Sequence, residues 1–385
     1  MFGIKDNAVD FYHQYYDVDI VNYDTSGTNA PVRLALSEVR NSQILIHPEN
    51  YFFSIVRFRT STGCLPLMIP EVEIGSDDIN KLAYSITLAY RLTTGETLEY
   101  KQNLIYVPQN LTAPLPPPPL TSQNVTSEYY YIYNFQYFIV LVNQAFINAF
   151  NGLKALVIAA GESLPSNIPP FMEWDPIDCL AILDCDILGY GDNLVSPILI
   201  YFNSSMFNLF QSFQAFNLGY NVTNGKNYQI MVYNNNNTNI LNQQGGTNLI
   251  QMFQDYSTSS LWNPVSSIVF TTSMIPILSQ LVGLPKIYNS DTQLISSGNN
   301  SNISNTLTDF VIDLVKGTES KPNVVYTPSG AYRLIDMTGG GAQSFASIQI
   351  SAYWKDKFGN LHEMTLRSGD SCSIKLMFRL KELGV

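Results

Sequence analysis

The segment 345–381 constrains the fold of this chain most, because its side chains alternate between two faces. In the first predicted strand the apolar face carries Ile348, Ile350, Ala352 and Trp354, and the polar face carries Ser347, Gln349, Ser351 and Tyr353. A reversal at 355–360 contains Gly359-Asn360, residue types that adopt positive φ readily. The last strand points Ile374, Leu376, Phe378 and Leu380 inward. This period of two predicts an antiparallel sheet with one buried face.

Strand patterns also occur earlier in the chain. We predict strands at 51–59, 69–74 and 84–92, and the turn Thr93-Thr94-Gly95-Glu96 joins the third of these to 98–107 as a hairpin. Further strands are predicted at 268–277 and 324–337. The fold class that follows is mainly β, an antiparallel β-sandwich.

The middle of the chain changes period. Apolar residues three and four apart within 129–161 predict one long amphipathic helix that Gly161 would end. Polar residues such as Asn143 and Lys154 interrupt it too often for a membrane span. A second helix is predicted at 204–213, capped by Ser204 or Ser205, among short strands at 180–188, 197–202 and 228–233. This region is therefore a mixed α/β insertion or second lobe.

Five parts follow along the chain. They are an N-terminal arm (1–28), the first part of the sandwich (29–112), a proline-rich spacer (113–120), a mixed α/β insertion lobe (121–260) and the second part of the sandwich (261–385). The arm lacks clear periodicity, and we expect it to become ordered against a neighbour. Four consecutive prolines at 116–119 predict a stiff, extended spacer between units.

Charged residues make up only 13% of the chain, about half the globular average of roughly 25%. Amides and hydroxyls supply the polarity instead, and they lose water at lower cost than Lys or Glu, so we predict extensive contact between subunits. In the arm, Phe11, Tyr12, Tyr15 and Tyr16 are the candidate subunit-interface residues. We expect deletion of residues 1–28 to weaken oligomerisation while the sandwich stays folded.

The overall charge excludes one class of function. A net charge of −11 and a pI near 4.7, with no basic run longer than a dipeptide, argue against specific nucleic-acid binding.

The first 16 residues lack the basic and apolar regions of a secretory signal, so no cleaved leader is expected. The four cysteines are too scattered for a disulfide framework and are expected to be free thiols, and the seven Asn-x-Ser/Thr sequons support no conclusion.

A search for catalytic and metal-binding residues leads to a negative prediction. Gly369-Asp370-Ser371 with nearby His362 resembles a serine hydrolase motif, but Cys372 stands where glycine is expected. The acidic stretch Glu173, Asp175, Asp178, Asp184 and Asp186 is expected to be a solvated face rather than a calcium site. Tyr129, Tyr130, Tyr131 and Tyr133 lack basic neighbours, which favours packing over base or sugar stacking. We predict no catalytic residues, no metal, no cofactor and no enzymatic activity.

Three stretches of the chain, one near its start and two near its end, resemble a known family. The stretches NSQILIHPENYFFSIVRFRTSTGCLPLMIPEVE, VVYTPSGAYRLIDM and YWKDKFGNLHEMTLRSGDSCSIKLMFRLK are similar to minor capsid or penton proteins of small tailless DNA viruses such as virophages and polinton-like viruses. The resemblance implies a jelly roll of two four-stranded sheets and a homopentamer at the vertices of an icosahedral capsid. It further implies neighbouring capsid proteins as partners and a virion location after synthesis in the host cytoplasm.

Two alternatives stay open. A β-sandwich with exposed Tyr and Asn also suits a carbohydrate- or receptor-binding protein, such as a spike head or a lectin, with a host receptor or glycan as its partner. A glycoside hydrolase needs two carboxylates about 5 to 10 Å apart across a cleft. Asp184 and Asp186 are the only pair that the sequence offers for that role.

Overall fold

The computed structural model describes residues 12–23, 27–61, 63–232, 239–242, 248–282, 302–311, 323–326, 333–338 and 345–381. Its strands are β1 (His13–Val21), β2 (Val32–Arg33), β3 (Ala35–Val39), β4 (Tyr51–Ser61), β5 (Lys81–Arg91), β6 (Thr97–Ile105), β7 (Phe171–Asp175), β8 (Leu180–Asp186), β9 (Leu199–Phe202), β10 (Ala215–Asn217), β11 (Tyr228–Ile230), β12 (Asn239–Asn242), β13 (Asn248–Phe253), β14 (Val265–Thr271), β15 (Gln280–Val282), β16 (Asn302–Ser304), β17 (Thr306–Phe310), β18 (Asn323–Tyr326), β19 (Ile335–Asp336), β20 (Ser347–Asp356), β21 (Leu361–Glu363), β22 (Thr365–Leu366) and β23 (Ser371–Leu380). The helices are α1 (Phe135–Ala159), α2 (Ile187–Tyr190), α3 (Ser204–Leu209) and α4 (Ser259–Trp262).

The chain forms two compact units. The jelly-roll unit comprises Met1–Leu65, Val265–Asp313 and Lys321–Val385, and the insertion unit comprises Pro66–Pro264 and Leu314–Ser320. The predicted first part of the sandwich, 29–112, therefore extends too far. The β5–β6 hairpin lies in the insertion unit, because β5 pairs with β9, a strand from the middle of the chain. Alternation identified this hairpin as β structure but did not indicate which sheet it joins.

The strand order of this first unit is that of a jelly roll, which is why we call it the jelly-roll unit. One sheet has the order β1-β23-β4-β18, with β19 also on β4, and the other has the order β17-β14-β20 with β3 and β21 beside β20. When β1, β3, β4, β14, β17, β18/β19, β20 and β23 are lettered B to I in chain order, the sheets become B-I-D-G and C-H-E-F. All the pairings are antiparallel, and the unit is a jelly-roll β-sandwich.

Aromatic side chains fill the space between these two sheets. Phe58 of β4 meets Phe270 of β14 edge to face at a centroid distance of 4.7 Å, and it stacks on Phe310 of β17 at 5.9 Å. Phe58 and Phe270 are both fully buried. Each buried ring contributes roughly 1.5–3 kcal/mol by leaving water, so this contact ties the BIDG sheet to the CHEF sheet.

The prediction of an unpaired N-terminal arm is wrong for the part of that segment that the structure describes. β1 pairs with β23 along its whole length, from His13 opposite Arg379 to Val21 opposite Ser371, and so it is the first strand of the jelly roll. Its periodicity is weak because Val18 is its only buried residue. An edge strand with most of its side chains in water carries little apolar alternation.

The insertion unit contains two antiparallel sheets and the long helix. Their strand orders are β10-β11-β9-β5-β6 and β12-β13-β8-β7, and α1 packs on β5, β6 and β7. The predicted helix 129–161 is confirmed as α1 with shorter bounds. Gly161 ends it at φ +84°, where the Gly161 N–H donates to Ile158 O and the Glu162 N–H donates to Val157 O, a Schellman motif. None of the described helices meets the length and hydropathy that crossing a membrane requires.

Two further details of the insertion unit differ from expectation. Residues 113–120 lie within this unit and are not a spacer between units; Pro116 and Pro119, three residues apart, are buried, which matches the three-residue period of polyproline II. The helix predicted at 204–213 ends at Leu209, and its cap is Asn203, whose Oδ1 accepts hydrogen bonds from the Met206 and Ser85 N–H groups. Asn203 Nδ2 also donates to Ala83 O, so this sequon side chain is fully engaged within the fold.

Candidate assembly surface

The residues that resembled a catalytic set have structural roles. The Asp356 side chain is buried, and its carboxylate accepts hydrogen bonds from the N–H groups of Phe358 and Asn360 and from the Asn360 side chain. His362 Nε2 lies 3.0 Å from Asp356 Oδ2, and the imidazole stacks on Trp354 at 3.9 Å. Burial acts to raise the pKa of Asp356, but the hydrogen bonds from His362 and Asn360 outweigh it and lower the pKa. This cluster closes the β20–β21 turn.

Gly369-Asp370-Ser371 forms the turn that leads into β23. The Arg367 N–H donates to Asp370 Oδ2, and the Gly369 N–H donates to Asn22 O, which fixes the turn against the end of β1. His362 is committed to Asp356 instead. The structure thus places this motif at the entry to strand β23.

The acidic stretch is not a single solvated face. Asp175 accepts hydrogen bonds from the Ile177 and Asp178 N–H groups, and Asp186 caps α2 and accepts a hydrogen bond from Ser166 Oγ. Asp184 is 0% exposed, and neither of its carboxylate oxygens has a well-formed hydrogen bond among the described residues. Burial raises the pKa of Asp184 to about 6; the charge of Glu173 adds to the rise, and Gln251 on the paired strand opposes it.

Neither a metal site nor the hydrolase pair emerges from these carboxylates. Within the described ranges, no group of three or more His, Cys, Asp or Glu side chains is arranged to hold a metal ion. Asp184 and Asp186, the pair weighed for glycoside hydrolysis, are both buried in the insertion unit. The four cysteines are free thiols, and burial raises the pKa of Cys64 to about 11 and that of Cys372 to about 12.

The tyrosines weighed for stacking on bases or sugars are largely packed inside the insertion unit. Tyr129, Tyr130 and Tyr131 are buried, and their hydroxyls donate to Asn80 Oδ1, Ile79 O and Val125 O respectively. Tyr133 is half-buried, with its ring against Tyr131. Packing is therefore their use, as expected.

The candidate interface tyrosines separate into two groups. Tyr12 and Tyr15 are exposed at 59% and 55%, whereas Tyr16 is half-buried, donates from its hydroxyl to Glu38 Oε2 at 2.5 Å and lies under the Arg40 guanidinium. Phe11 lies outside the described residues. Tyr16 thus joins β1 to β3 within one chain, whereas Tyr12 and Tyr15 expose most of their side chains. Their role in a subunit interface stays a prediction.

The outer face of the BIDG sheet holds charged residues that the sequence analysis did not select. Arg57 of β4 and Lys375 of β23 are cross-strand neighbours, and both bind Asp17 of β1, at 3.2 and 3.3 Å. Lys375 also lies 5.4 Å from the centre of the Tyr15 ring. A signal was present in the sequence: charged residues alternate with core residues at Arg57-Phe58-Arg59 and again around Lys375.

Comparison with known proteins gives a consistent result over nearly the whole chain. Residues 14–380 match the family model described as Sputnik minor capsid protein V18/19. Structural protein V19 of Sputnik virophage is 29% identical over 198 residues, which cover 50% of this chain and 86% of V19. The uncharacterized protein V18 of Sputnik virophage is 33% identical over 150 residues, which cover 37% of this chain and 85% of V18.

Solved structures extend the similarity to three dimensions. A chain of the cryo-EM structure of the Sputnik virophage superposes with a TM-score of 0.81 at 26% identity, covering 97% of this chain and 99% of that one. The crystal structure of the mavirus penton protein superposes with a TM-score of 0.61 at 16% identity, covering 95% and 99%. The second similarity concerns the fold alone.

Proposed function

The chain belongs to the Sputnik minor capsid protein V18/19 family and is a structural protein of the virion capsid, and from this premise we propose that it forms homopentamers at the vertices of an icosahedral capsid. The observation that carries the proposal is the jelly roll with its B-I-D-G and C-H-E-F sheets, together with the similarity in fold to the mavirus penton protein over 95% of this chain. A penton is a ring of five identical subunits, which requires a head-to-tail interface that closes on itself.

The composition supports assembly into such a ring. An interface core is depleted in charged residues, and this chain has only 13% of them. Tyr15 on the edge strand β1 and Tyr12 just before that strand are exposed and offer large apolar faces with polar tips, which suit a partly hydrated contact. Neighbouring capsid proteins are the further partners that we propose for the ring.

The test is the oligomeric state of the purified full-length chain. We expect native mass spectrometry to give a mass five times that of the 43.1 kDa subunit and electron microscopy to show rings with fivefold symmetry. Labelling of the protein within purified virions should place it at the vertices. A chain that stays monomeric at high concentration, or that lies away from the vertices, would contradict the proposal.

We further propose that the protein has no enzymatic activity. The support is the structural capsid family together with the use of Asp356, His362 and Asp370 in turns. A screen for glycoside and ester hydrolysis checks this directly. Turnover that survives purification to homogeneity would overturn it.

A further inference from the structure

The charges of this acidic chain are unevenly divided between its two units. Residues 66–264, which make up nearly all of the insertion unit, contain 15 Asp and Glu and only five Lys and Arg, a net charge of −10. The remaining residues contain 16 acidic and 15 basic side chains, a net charge of −1. Almost the entire surplus of negative charge therefore belongs to the insertion.

The jelly-roll unit collects cations on the outer face of its BIDG sheet. This face, which we call the basic face, carries Arg57, Arg59, Lys375, Arg379 and Lys381. The anions beside them are Asp17 and Asp19 of β1 and Asp336 of β19. Among the residues of this face that the structure describes, these five cations outnumber the three anions, on a chain whose total charge is −11.

The ion pairs leave part of this positive charge uncompensated. Asp17 is shared by Arg57 and Lys375, and Asp336 binds Lys381 at 2.9 Å. Among the described residues, neither Arg59 nor Arg379 has an ion pair. Arg59 lines a trough of about 530 Å³ together with Arg57, Asp19, Ser371 and Ser373. The trough thus offers guanidinium and hydroxyl donors to an anionic group.

We propose that the basic face docks the acidic insertion of a second copy of this chain. Charge complementarity selects this occupant, because each copy carries a net −10 on residues 66–264. Nucleic acid fits less well, since Asp17 and Asp19 stand among the cations and would repel a phosphate backbone. A protein surface can supply donors to these two carboxylates as well as acceptors to the arginines. The inference rests on the self-assembly proposed above.

The main test reverses the charge of Arg59 and Arg379, the two residues of the basic face for which the described part of the chain shows no ion pair. The variant R59E/R379E is compared with the control K355E/K357E, which makes the same charge change at β20 and its turn on the other sheet. We expect R59E/R379E to raise the concentration for half-assembly at least about tenfold, because like charges would then face each other. The control should assemble as the wild type does, and thermal unfolding verifies that both variants are folded.

A second measurement identifies what covers the face. Carbodiimide joins carboxylates to amines at zero length, so Lys375 and Lys381 should link to Asp or Glu within residues 66–264. Mixing isotopically light and heavy copies establishes that these links join two molecules. The link from Lys375 to Asp17 within one copy serves as the internal control, since these groups are 3.3 Å apart.

The outcomes separate this inference from the proposed function. A monomeric wild type would contradict the pentamer itself. Two outcomes would overturn only this inference. R59E/R379E could form pentamers with unchanged affinity, or the cross-links from the basic face could fail to reach residues 66–264 of another copy. Binding of a DNA duplex that R59E/R379E abolishes would assign the face to nucleic acid and would equally overturn it. Assembly should also weaken from about 0.1 to about 1 M NaCl, as the screening length falls from about 10 to 3 Å.

Discussion

At the scale of single residues, two buried carboxylates differ because their surroundings differ. Asp356 receives hydrogen bonds from two backbone N–H groups and two side chains, which stabilise its charge and lower its pKa despite burial. At Asp184 only the Gln251 side chain opposes the effect of burial, and the pKa rises to about 6. The same residue type therefore stabilises one turn and destabilises one strand at neutral pH.

The raised pKa of Asp184 makes a prediction for stability against pH. An unfolded aspartate has a pKa of about 3.9, so the folded state binds the proton more tightly than the unfolded state does. Protonation of Asp184 therefore stabilises the fold fully below about pH 3.9, and this contribution is lost as the pH rises through 6. We expect Asp184→Asn to raise the free energy of unfolding by about 2 kcal/mol at pH near 8 and to change it little near pH 4. Urea unfolding at both pH values measures this.

The control for that experiment is Glu96→Gln, in the β5–β6 turn of the same unit, because Glu96 is exposed and its charge does not contribute to the raised pKa of Asp184. It should change stability little at either pH. An Asp184→Asn variant that is less stable than the wild type at pH 8 would show that the carboxylate has hydrogen-bond partners in solution.

At the scale of elements, a close approach seats helix α1 on strand β6. Gly152 of α1 lies against Tyr100, and a Cβ at that position would come within 2.5 Å of three atoms of the Tyr100 ring. The helix therefore approaches the sheet at a point where any residue larger than glycine would displace the Tyr100 ring. At its end, Glu162 accepts hydrogen bonds from the N–H and hydroxyl of Thr93, which joins α1 to the β5–β6 turn.

The Gly152 contact predicts that Gly152→Ala lowers the stability of the protein, whereas helix propensity alone predicts that it raises it. Alanine at an exposed helix position gains about 1 kcal/mol over glycine. We expect Gly152→Ala instead to cost about 1–3 kcal/mol, because the Tyr100 ring must move. Thermal unfolding measures the change, and the double variant with Tyr100→Ala should recover part of the loss. A stabilised Gly152→Ala would contradict the close packing.

Strand β1 predicts a different result from the arm that its sequence suggested. Deletion of residues 1–23 would remove Val18 from the core and expose the hydrogen-bonding edge of β23. We expect the jelly-roll unit to lose at least about 3 kcal/mol of stability, from the lost burial and the lost ladder. Urea unfolding of the full chain measures this. An unchanged midpoint, with weaker oligomerisation only, would restore the arm hypothesis.

At the scale of the whole molecule, the jelly roll accommodates a large insertion between two successive strands. β4 ends at Ser61 and β14 begins at Val265, so the residues between them build a unit with its own sheets and its own aromatic core. Trp262 contacts Phe135, Phe138, Trp174 and Phe210 in that core. Pentamer formation, and assembly of the basic face against an acidic insertion, are the predictions that belong to this scale.

Local pattern alone determined much of the fold. The alternation in β20 and β23 predicted their buried faces, and the three- and four-residue spacing before Gly161 predicted α1. These features depend on neighbours along the chain, which periodicity records directly. The low fraction of charged residues likewise pointed to a protein made for contact with other subunits.

Other features were decided only by the tertiary structure. Alternation shows which face of a strand is buried but not which strand pairs with it, so the β5–β6 hairpin was assigned to the wrong unit and β1 was taken for an arm. The cap at Asn203, the buried carboxylate of Asp184 and the basic face likewise arise from residues far apart in sequence. Such partners meet only when the chain has folded, because pairing in this topology is set by contacts across hundreds of residues.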